Sequence, residues 1–319
     1  MRQKIQVKVA LIGGGPACAS AAIQLMRSRV DILLISKDIG GTIRNANLIE
    51  NLLGFPAGIS GEDYILLLKE QLRRNDVPTL LEEVLSINGT NSSQYLISTS
   101  KTEILTDFIV IGTGTVPKKL NIEGEELAFN QKRLFYEIWN AKPLSQGKNI
   151  TIIGSGDVAY DYALNLYKNA HSITIVQRSV KTKSLQILQE RLSQKKNICV
   201  LKETAPIKIV NNKKNSITLV VKSSNKTTSI TSDFILVAIG RKPTIDYLSP
   251  QLKEEYSNPS PSSNLYFIGD VKNGNYRQVS IAMGDGVKAA MEIVKKMKER
   301  DSNSIQEREQ DNGTPRQIW

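Results

Sequence analysis

Histidine and cysteine are nearly missing from this chain of 319 residues, which has one histidine, His171, and two cysteines, Cys18 and Cys199. A zinc site draws on several Cys and His ligands and a nucleophilic triad needs a histidine beside its Ser or Cys, so neither chemistry is supported. His171 stands at the entry to the apolar run Ile173 to Val176, where it turns the chain rather than abstracting a proton. The two cysteines lie far apart and form no CxxC, which excludes a disulfide-stapled domain and makes a reduced, cytoplasmic setting the expectation. Long apolar runs are also missing. None approaches the roughly 18 residues of a membrane span, and no signal-type segment opens the chain, so neither membrane insertion nor secretion is expected. Acids fall short of bases, 31 Asp and Glu against 42 Lys and Arg. With no aromatic-basic platform and with the lysines read as spread through the chain, nucleic acid is not an expected partner. A bland basic surface and attraction of an acidic protein both stay open.

What the chain does have is glycine in two informative places. Gly13-Gly14-Gly15-Pro16-Ala17-Cys18 follows the apolar run Val7 to Ile12, and Gly154-Ser155-Gly156-Asp157-Val158-Ala159 follows Ile150 to Ile153. In a dinucleotide-binding βαβ unit the first glycine makes the strand-to-helix turn. The second lets the backbone approach a pyrophosphate, and a third small residue lets helix and strand pack closely. Each turn here opens an apolar-periodic stretch, Ala19 to Met26 and Ala159 to Leu166. Each stretch is followed by a second apolar strand, Ile32 to Ile35 and Ile173 to Val176. The pattern is βαβ twice over, with one dinucleotide bound and a second visiting, so electrons are expected to pass between two dinucleotides.

The predicted fold class is α/β, with two Rossmann-like dinucleotide-binding domains of three layers, the second inserted into the first. Asp107 to Gly114 runs an apolar strand into glycines with Pro117 just beyond, and Ser232 to Pro243 repeats that order. These repeats place the boundaries at 1–117, 118–244 and 245–319. A helix is predicted over Gly61 to Arg74 and strands over Tyr95 to Ser98 and Phe108 to Ile111. Asn211 to Thr231 reads as an exposed hairpin. Asn264 to Asp270 supplies a strand ending on Gly269 that returns to the first sheet, Ala282 to Met297 a helix, and Glu299 to Thr314 a mobile polar tail.

No acid–base set is apparent, so the redox chemistry is borrowed from a cofactor. After the strand ending at Val176 comes Gln177-Arg178-Ser179-Val180-Lys181-Thr182-Lys183, with no carboxylate for the ribose hydroxyls of NAD. Arg178 and Lys183 are placed to pair with a 2′-phosphate instead. NADPH is therefore expected, with NADH as the alternative and solvent-facing cations as the plain reading. Asp270, after an apolar strand and Gly269, either accepts from ribitol hydroxyls or simply caps a helix.

On these residues, together with Glu50-Asn51, Gly54-Phe55-Pro56, Gly112-Thr113-Gly114 and Tyr276-Arg277-Gln278, the chain resembles the low-molecular-weight thioredoxin reductases from Val7 to about Lys296. The resemblance implies FAD held by the first and last thirds, through Gly13, Gly15, Pro16, Ala17, Gly41, Asn51, Gly112, Gly114, Gly269, Asp270, Arg277, Gln278 and Ala282, where a helix begins beside the isoalloxazine. It implies NADPH on the middle third, through Gly154, Gly156, Asp157, Val158, Ala159, Arg178 and Lys183. It also implies a homodimer. The family's redox CxxC falls, by counting back from Gly154, on Glu137-Ile138-Trp139-Asn140, and neither cysteine is there.

The expected function is therefore an FAD-dependent NAD(P)H oxidoreductase that passes electrons directly to an external acceptor, as the ferredoxin/flavodoxin-NADP reductases of the same fold do. An acidic electron carrier would suit the positive charge. Two alternatives stay open: a disulfide reductase by a route other than CxxC, with Cys18 as its candidate thiol, and a flavin-binding sensor or structural protein with a degenerate nicotinamide site. Trp319, at the end of a polar tail, is either a cover stacked over the isoalloxazine, as in the related reductases, or a chance aromatic on a frayed end.

Overall fold

The computed structural model describes residues 2–90, 94–212, 216–224, 226–260 and 263–312, with side chains described as far as 302. The chain divides into two compact units, one of residues 1–43, 63–115 and 243–319, the other of residues 44–62 and 116–242.

In the first unit the parallel strands run in the order Thr79–Leu80, Ile32–Ile35, Gln3–Ile12, Thr102–Ile111 and Leu265–Phe267. Strand Thr102–Ile111 pairs with Gln3–Ile12 along its length on one side and with two strands in succession on the other. Its first half pairs antiparallel with Tyr95–Thr99, which pairs in turn with Val84–Gly89. Its second half lies between Gln3–Ile12 and Leu265–Phe267. The burial pattern explains this division. Residues 102–107 alternate buried and half-buried, as a one-faced antiparallel strand requires, while Phe108 to Ile111 are buried without interruption, as in a parallel sheet covered on both faces.

Helix Pro16–Arg27 follows the first strand and packs on the long helix Val279–Asn312. A Cβ on Gly286 would lie 2.2 Å from the Ala17 carbonyl oxygen, so only glycine permits that approach. The long helix begins at Val279 and not at Ala282. Its first turn is closed by the Ala282 N–H donating to the Gln278 carbonyl.

The expected mobile tail is also corrected, because the same helix continues to Asn312. Arg300 anchors it by donating from Nη2 to Asn264 Oδ1 at 2.9 Å, with its guanidinium over the Phe108 ring. Lys295 and Glu299 add a pair one turn apart. Thr314 and Trp319 lie outside the described residues.

The second unit holds a parallel sheet in the order Ile198–Leu201, Ser172–Val176, Asn149–Ile153, Phe234–Val237, Leu134–Phe135. Beside it is an antiparallel sheet of Thr204–Asn211, Ile217–Ser223 and Lys226–Ser232. The exposed hairpin predicted at 211–231 is thus two strands of three. Ile209, Ile217, Leu219 and Val221 point from this sheet into a shared core with Ile153, Val176 and Val237. Their alternation with Lys, Ser and Thr hid a buried face.

Residues 44–62 belong with this unit as well. Ile49 and Ile59 pair with each other, and Glu50 accepts from both terminal nitrogens of Arg191, at 2.6 and 2.9 Å. A further correction concerns charge. The second unit carries 22 Lys and Arg against 11 Asp and Glu, whereas the first carries 20 against 20, so the basic excess is not spread through the chain.

Candidate dinucleotide sites

In the first unit Gly13 leaves strand Gln3–Ile12 at φ +125, with its N–H donating to the Ile35 carbonyl. A Cβ there would lie 2.4 Å from the Gly112 carbonyl oxygen. Gly14 is boxed in by the Asp38 carbonyl, while a Cβ on Gly15 would meet nothing within 4 Å.

Gly15 is the N-cap of helix Pro16–Arg27, and no side chain caps that terminus. Among the described residues the first amides of the helix have no side-chain acceptor and stand beside open space at Gly15, which is what a pyrophosphate needs. Gly41 closes the same cradle, since its Cβ would stand 3.4 Å from the Gly15 Cα. Ala17, Gly269 and Ala282 also converge. A Cβ on Gly269 would be 2.9 Å from that of Ala17 and 3.5 Å from that of Ala282.

Asp270 sits in the turn Gly269–Val271. That turn is set by a residue the sequence pattern did not single out. Asp285, on the long helix, accepts from the Gly269 N–H at 2.9 Å and from Asn273 Nδ2 at 2.6 Å. Its position three residues after Ala282, on the same helical face, was the available signal. Arg277 and Gln278 immediately precede the helix. Gly114, at φ +65, accepts from the Thr244 N–H. Thr113 Oγ1 lies 2.8 Å from the Thr244 carbonyl and 2.9 Å from the Tyr247 hydroxyl. Asn51 is an exposed residue of segment 44–62, described with the second unit.

Cys18 is fully buried, with Sγ donating to the Ile12 carbonyl at 3.3 Å. Burial pushes its thiol up to about 12, against a smaller lowering by the Gly112 backbone. At neutral pH it is a packing group rather than a thiolate.

The second unit repeats the turn. Gly154 leaves its strand at φ +156, and a Cβ there would lie 2.3 Å from the Ala238 carbonyl and 3.0 Å from the Ala159 Cβ. Gly156 is the N-cap of helix Asp157–Leu166. It has no side-chain cap, and a Cβ on it would meet nothing within 4 Å. Ala159 is buried and Val158 is half-exposed.

Asp157 stands at the start of that helix. Its Oδ1 accepts from the Leu185 N–H at 2.7 Å, which fixes the loop beyond the turn. Gln177 is that loop's internal strut, donating to the Ser179 carbonyl and accepting from Thr182 Oγ1. The Lys183 N–H donates to the Ser155 carbonyl. Arg178 and Lys183 are thereby held on the loop next to the turn, both exposed and neither in an ion pair among the described residues.

The stretch counted as the dithiol position is built differently. Glu137 is the N-cap of the short helix Ile138–Ala141. Its carboxylate is largely buried, 2.9 Å from Arg241 Nη2, and accepts from Asn45 Nδ2 at 2.6 Å. Trp139 is half-exposed with the Arg44 guanidinium over its ring. Asn140 is exposed. Cys199 is exposed on strand Ile198–Leu201. His171 is exposed at the entry to its strand, where its N–H donates to the Lys148 carbonyl.

Two strand–glycine–helix turns, each uncapped and each on a parallel sheet, define a protein of two Rossmann-like dinucleotide-binding units. The chain belongs to the pyridine nucleotide-disulphide oxidoreductase family, whose model matches residues 7–286. It is 28% identical over 314 residues to the mitochondrial thioredoxin reductase 2 of Saccharomyces cerevisiae, covering 92% of each chain. It is also 28% identical over 314 residues to the thioredoxin reductase of Chlamydia pneumoniae, covering 90% of this chain and 98% of that one. Among solved structures it is similar to Lactococcus lactis thioredoxin reductase in its FR conformation, with a TM-score of 0.82, 27% identity, and coverage of 91% and 98%. Among the described residues no helix is long and apolar enough to cross a membrane.

Proposed function

We propose that this chain is an FAD-dependent NAD(P)H oxidoreductase that delivers electrons to an external acceptor, an acidic carrier protein of the ferredoxin or flavodoxin kind, without an internal dithiol. The observation that carries the proposal is the buried Glu137–Arg241 pair in the stretch where the resemblance calls for a CxxC. The chain's two cysteines offer no substitute, since one is buried and protonated in the first unit and the other lies on a strand of the second.

FAD fits the first turn, where Gly13, Gly15, Pro16, Ala17 and Gly41 form a cradle with free helix amides and open space. Gly112, Gly114, Gly269, Asp270, Arg277, Gln278 and Ala282 would complete its site, with Asn51 contributing from its own segment. Bound FAD supplies an acceptor for the nicotinamide hydride and a donor to the external carrier. The second turn's role is to hold NADPH by Gly154, Gly156, Val158 and Ala159. Asp157 orders the loop that carries Arg178 and Lys183 toward a 2′-phosphate; NADH is the lesser donor. The protein works as a cytoplasmic homodimer in this reading.

A second reading is favoured by the relatives, which are thioredoxin reductases. In that case a disulfide is reduced by a route that Cys18 does not serve. A third, a flavin-binding sensor, is opposed by the intact turn at Gly154, Gly156 and Ala159.

Anaerobic mixing of the flavin-loaded protein with NADPH is expected to bleach the flavin. Reoxidation by ferredoxin or flavodoxin, with none by thioredoxin disulfide, supports direct transfer. Reduction of thioredoxin alone would overturn it, and a flavin that stays oxidised would leave the sensor.

A further inference from the structure

The basic excess of the second unit has a location that nucleotide binding does not explain. All five strands of its main sheet are parallel, so the residues just before each strand lie on one edge, opposite the carboxyl edge where Gly154 turns. Across strand Asn149–Ile153 the two edges are separated by about 16 Å.

In the spatial order of the strands, that far edge carries Lys195 and Lys196, then Lys168, then Lys148, then Asp233, then Lys132 and Arg133. Backbone hydrogen bonds tie these starts to one another. The Asp233 N–H donates to the Asn149 carbonyl, the Ile235 N–H to Arg133, the His171 N–H to Lys148 and the Ile173 N–H to Asn197. Asp233 is the one acid in the row, and it is already taken up by Lys148 at 3.1 Å. Lys132, Lys168 and Lys196 are exposed and form no ion pair among the described residues. Lys195 Nζ rests over the Tyr167 ring, 4.6 Å from its centroid.

We propose that this edge is a docking surface for an acidic protein. A row of like charges within a Debye length of one another is self-repulsive, and an anionic partner relieves that repulsion. The row is built of lysine with a single arginine. Point charges of this kind steer a transient acidic protein rather than grip phosphates bidentately. Tyr167 at this edge is covered by Lys195 and does not offer its face to a base of single-stranded nucleic acid. The inference needs neither cofactor and stands whatever the electron acceptor is.

The test uses the full chain and polyglutamate as the probe. It compares Lys132→Gln, Lys168→Gln, Lys195→Gln and Lys196→Gln combined with a control of equal charge on the same unit, Lys202→Gln, Lys208→Gln, Lys222→Gln and Lys226→Gln. The edge variant is expected to bind polyglutamate about tenfold more weakly at low salt with a shallower salt dependence, and the control less than about threefold. Protection of the edge lysines from acetylation by bound polyglutamate, read peptide by peptide, supports the same location in the unmutated protein. Equal losses in the two variants would show a bulk charge effect and overturn the proposal. So would tighter binding of a duplex oligonucleotide or of anionic vesicles at matched charge.

Discussion

The two glycine turns are copies with different surroundings. Gly13 and Gly154 each sit against a carbonyl just past the end of the neighbouring parallel strand, Gly112 in one case and Ala238 in the other. The next position separates them. Gly14 is pressed by the Asp38 carbonyl, whereas its counterpart Ser155 tolerates a side chain and accepts from the Lys183 N–H. One helix later the contrast repeats. Ser20 donates to the Met283 carbonyl and seals the first helix under the long C-terminal helix, while its counterpart Asp161 accepts from the Asn47 N–H at 3.4 Å. Backbone surrounds the first turn, and the second is lined by exposed Asp157, Val158, Arg178 and Lys183. Such a difference suits a resident ligand at the first site and an exchanging one at the second.

The sharpest way to break this contrast is a methyl at each turn. Gly13→Ala places its Cβ against the Gly112 carbonyl at a φ that L residues avoid, and is expected to cost about 3 kcal/mol and the bound flavin. Gly156→Ala meets no atom, and is expected to keep fold and flavin while weakening nicotinamide binding. Thermal melts and visible flavin absorbance read both; equal destabilisation by the two would erase the distinction.

Asp161 gives a pH-dependent effect of the next size. Burial pushes its carboxyl up to about 6, with Asp157 adding to the rise and the Asn47 N–H opposing it. The folded state thus holds the proton more tightly than the unfolded chain, in which the carboxyl titrates near 4. Stability is therefore gained as pH falls from about 6 to about 4, and the penalty is complete above that window. Asp161→Asn should raise stability by about 2 kcal/mol at pH 8 and by little at pH 4. A gain that does not depend on pH would show that the charge is not its cause.

Much of this architecture was legible from periodicity and glycine placement. Strand Ile32–Ile35 and helix Gly61–Arg74 fall where their apolar patterns end. Gly41 comes close to Gly15, a Cβ on it standing 3.4 Å from the Gly15 Cα. What escaped depends on contacts far apart in sequence. The apolar side of the sheet over 204–232 alternates with Lys, Ser and Thr and looks solvated until its partner core is known. The helix beyond Glu299 is polar on its own and is anchored through Arg300 to Asn264. Asp285 and Gln177 act through backbone groups that no residue pattern displays.

Two smaller effects sharpen the contrast further. Arg178→Ala should raise the KM for NADPH about tenfold, or about 1.4 kcal/mol, and leave that for NADH nearly unchanged. Equal loss with both nucleotides would make Arg178 structural. Cys18→Ala gives the first turn the same small residue that Ala159 supplies to the second. It should cost about 1 kcal/mol through the small void left beside Gly112, with turnover intact. Loss of turnover with flavin retained would return a chemical role to the thiol.

The strand Thr102–Ile111 also sets a timetable. On one side it waits for nothing, because Gln3–Ile12 precedes it in the chain, and on the other its first half pairs with Tyr95–Thr99, made just before it. The second half of that other side waits for Leu265–Phe267, and helix Pro16–Arg27 waits for Val279 onward. The whole of 116–242, with its own sheet and core, is made during that interval. A nascent chain whose first 245 or so residues have emerged therefore has a finished second unit and a first unit whose Ile109 and Val110 edge is still open. That unpaired edge is the stage at which a chaperone, or a wrong strand, would find this protein.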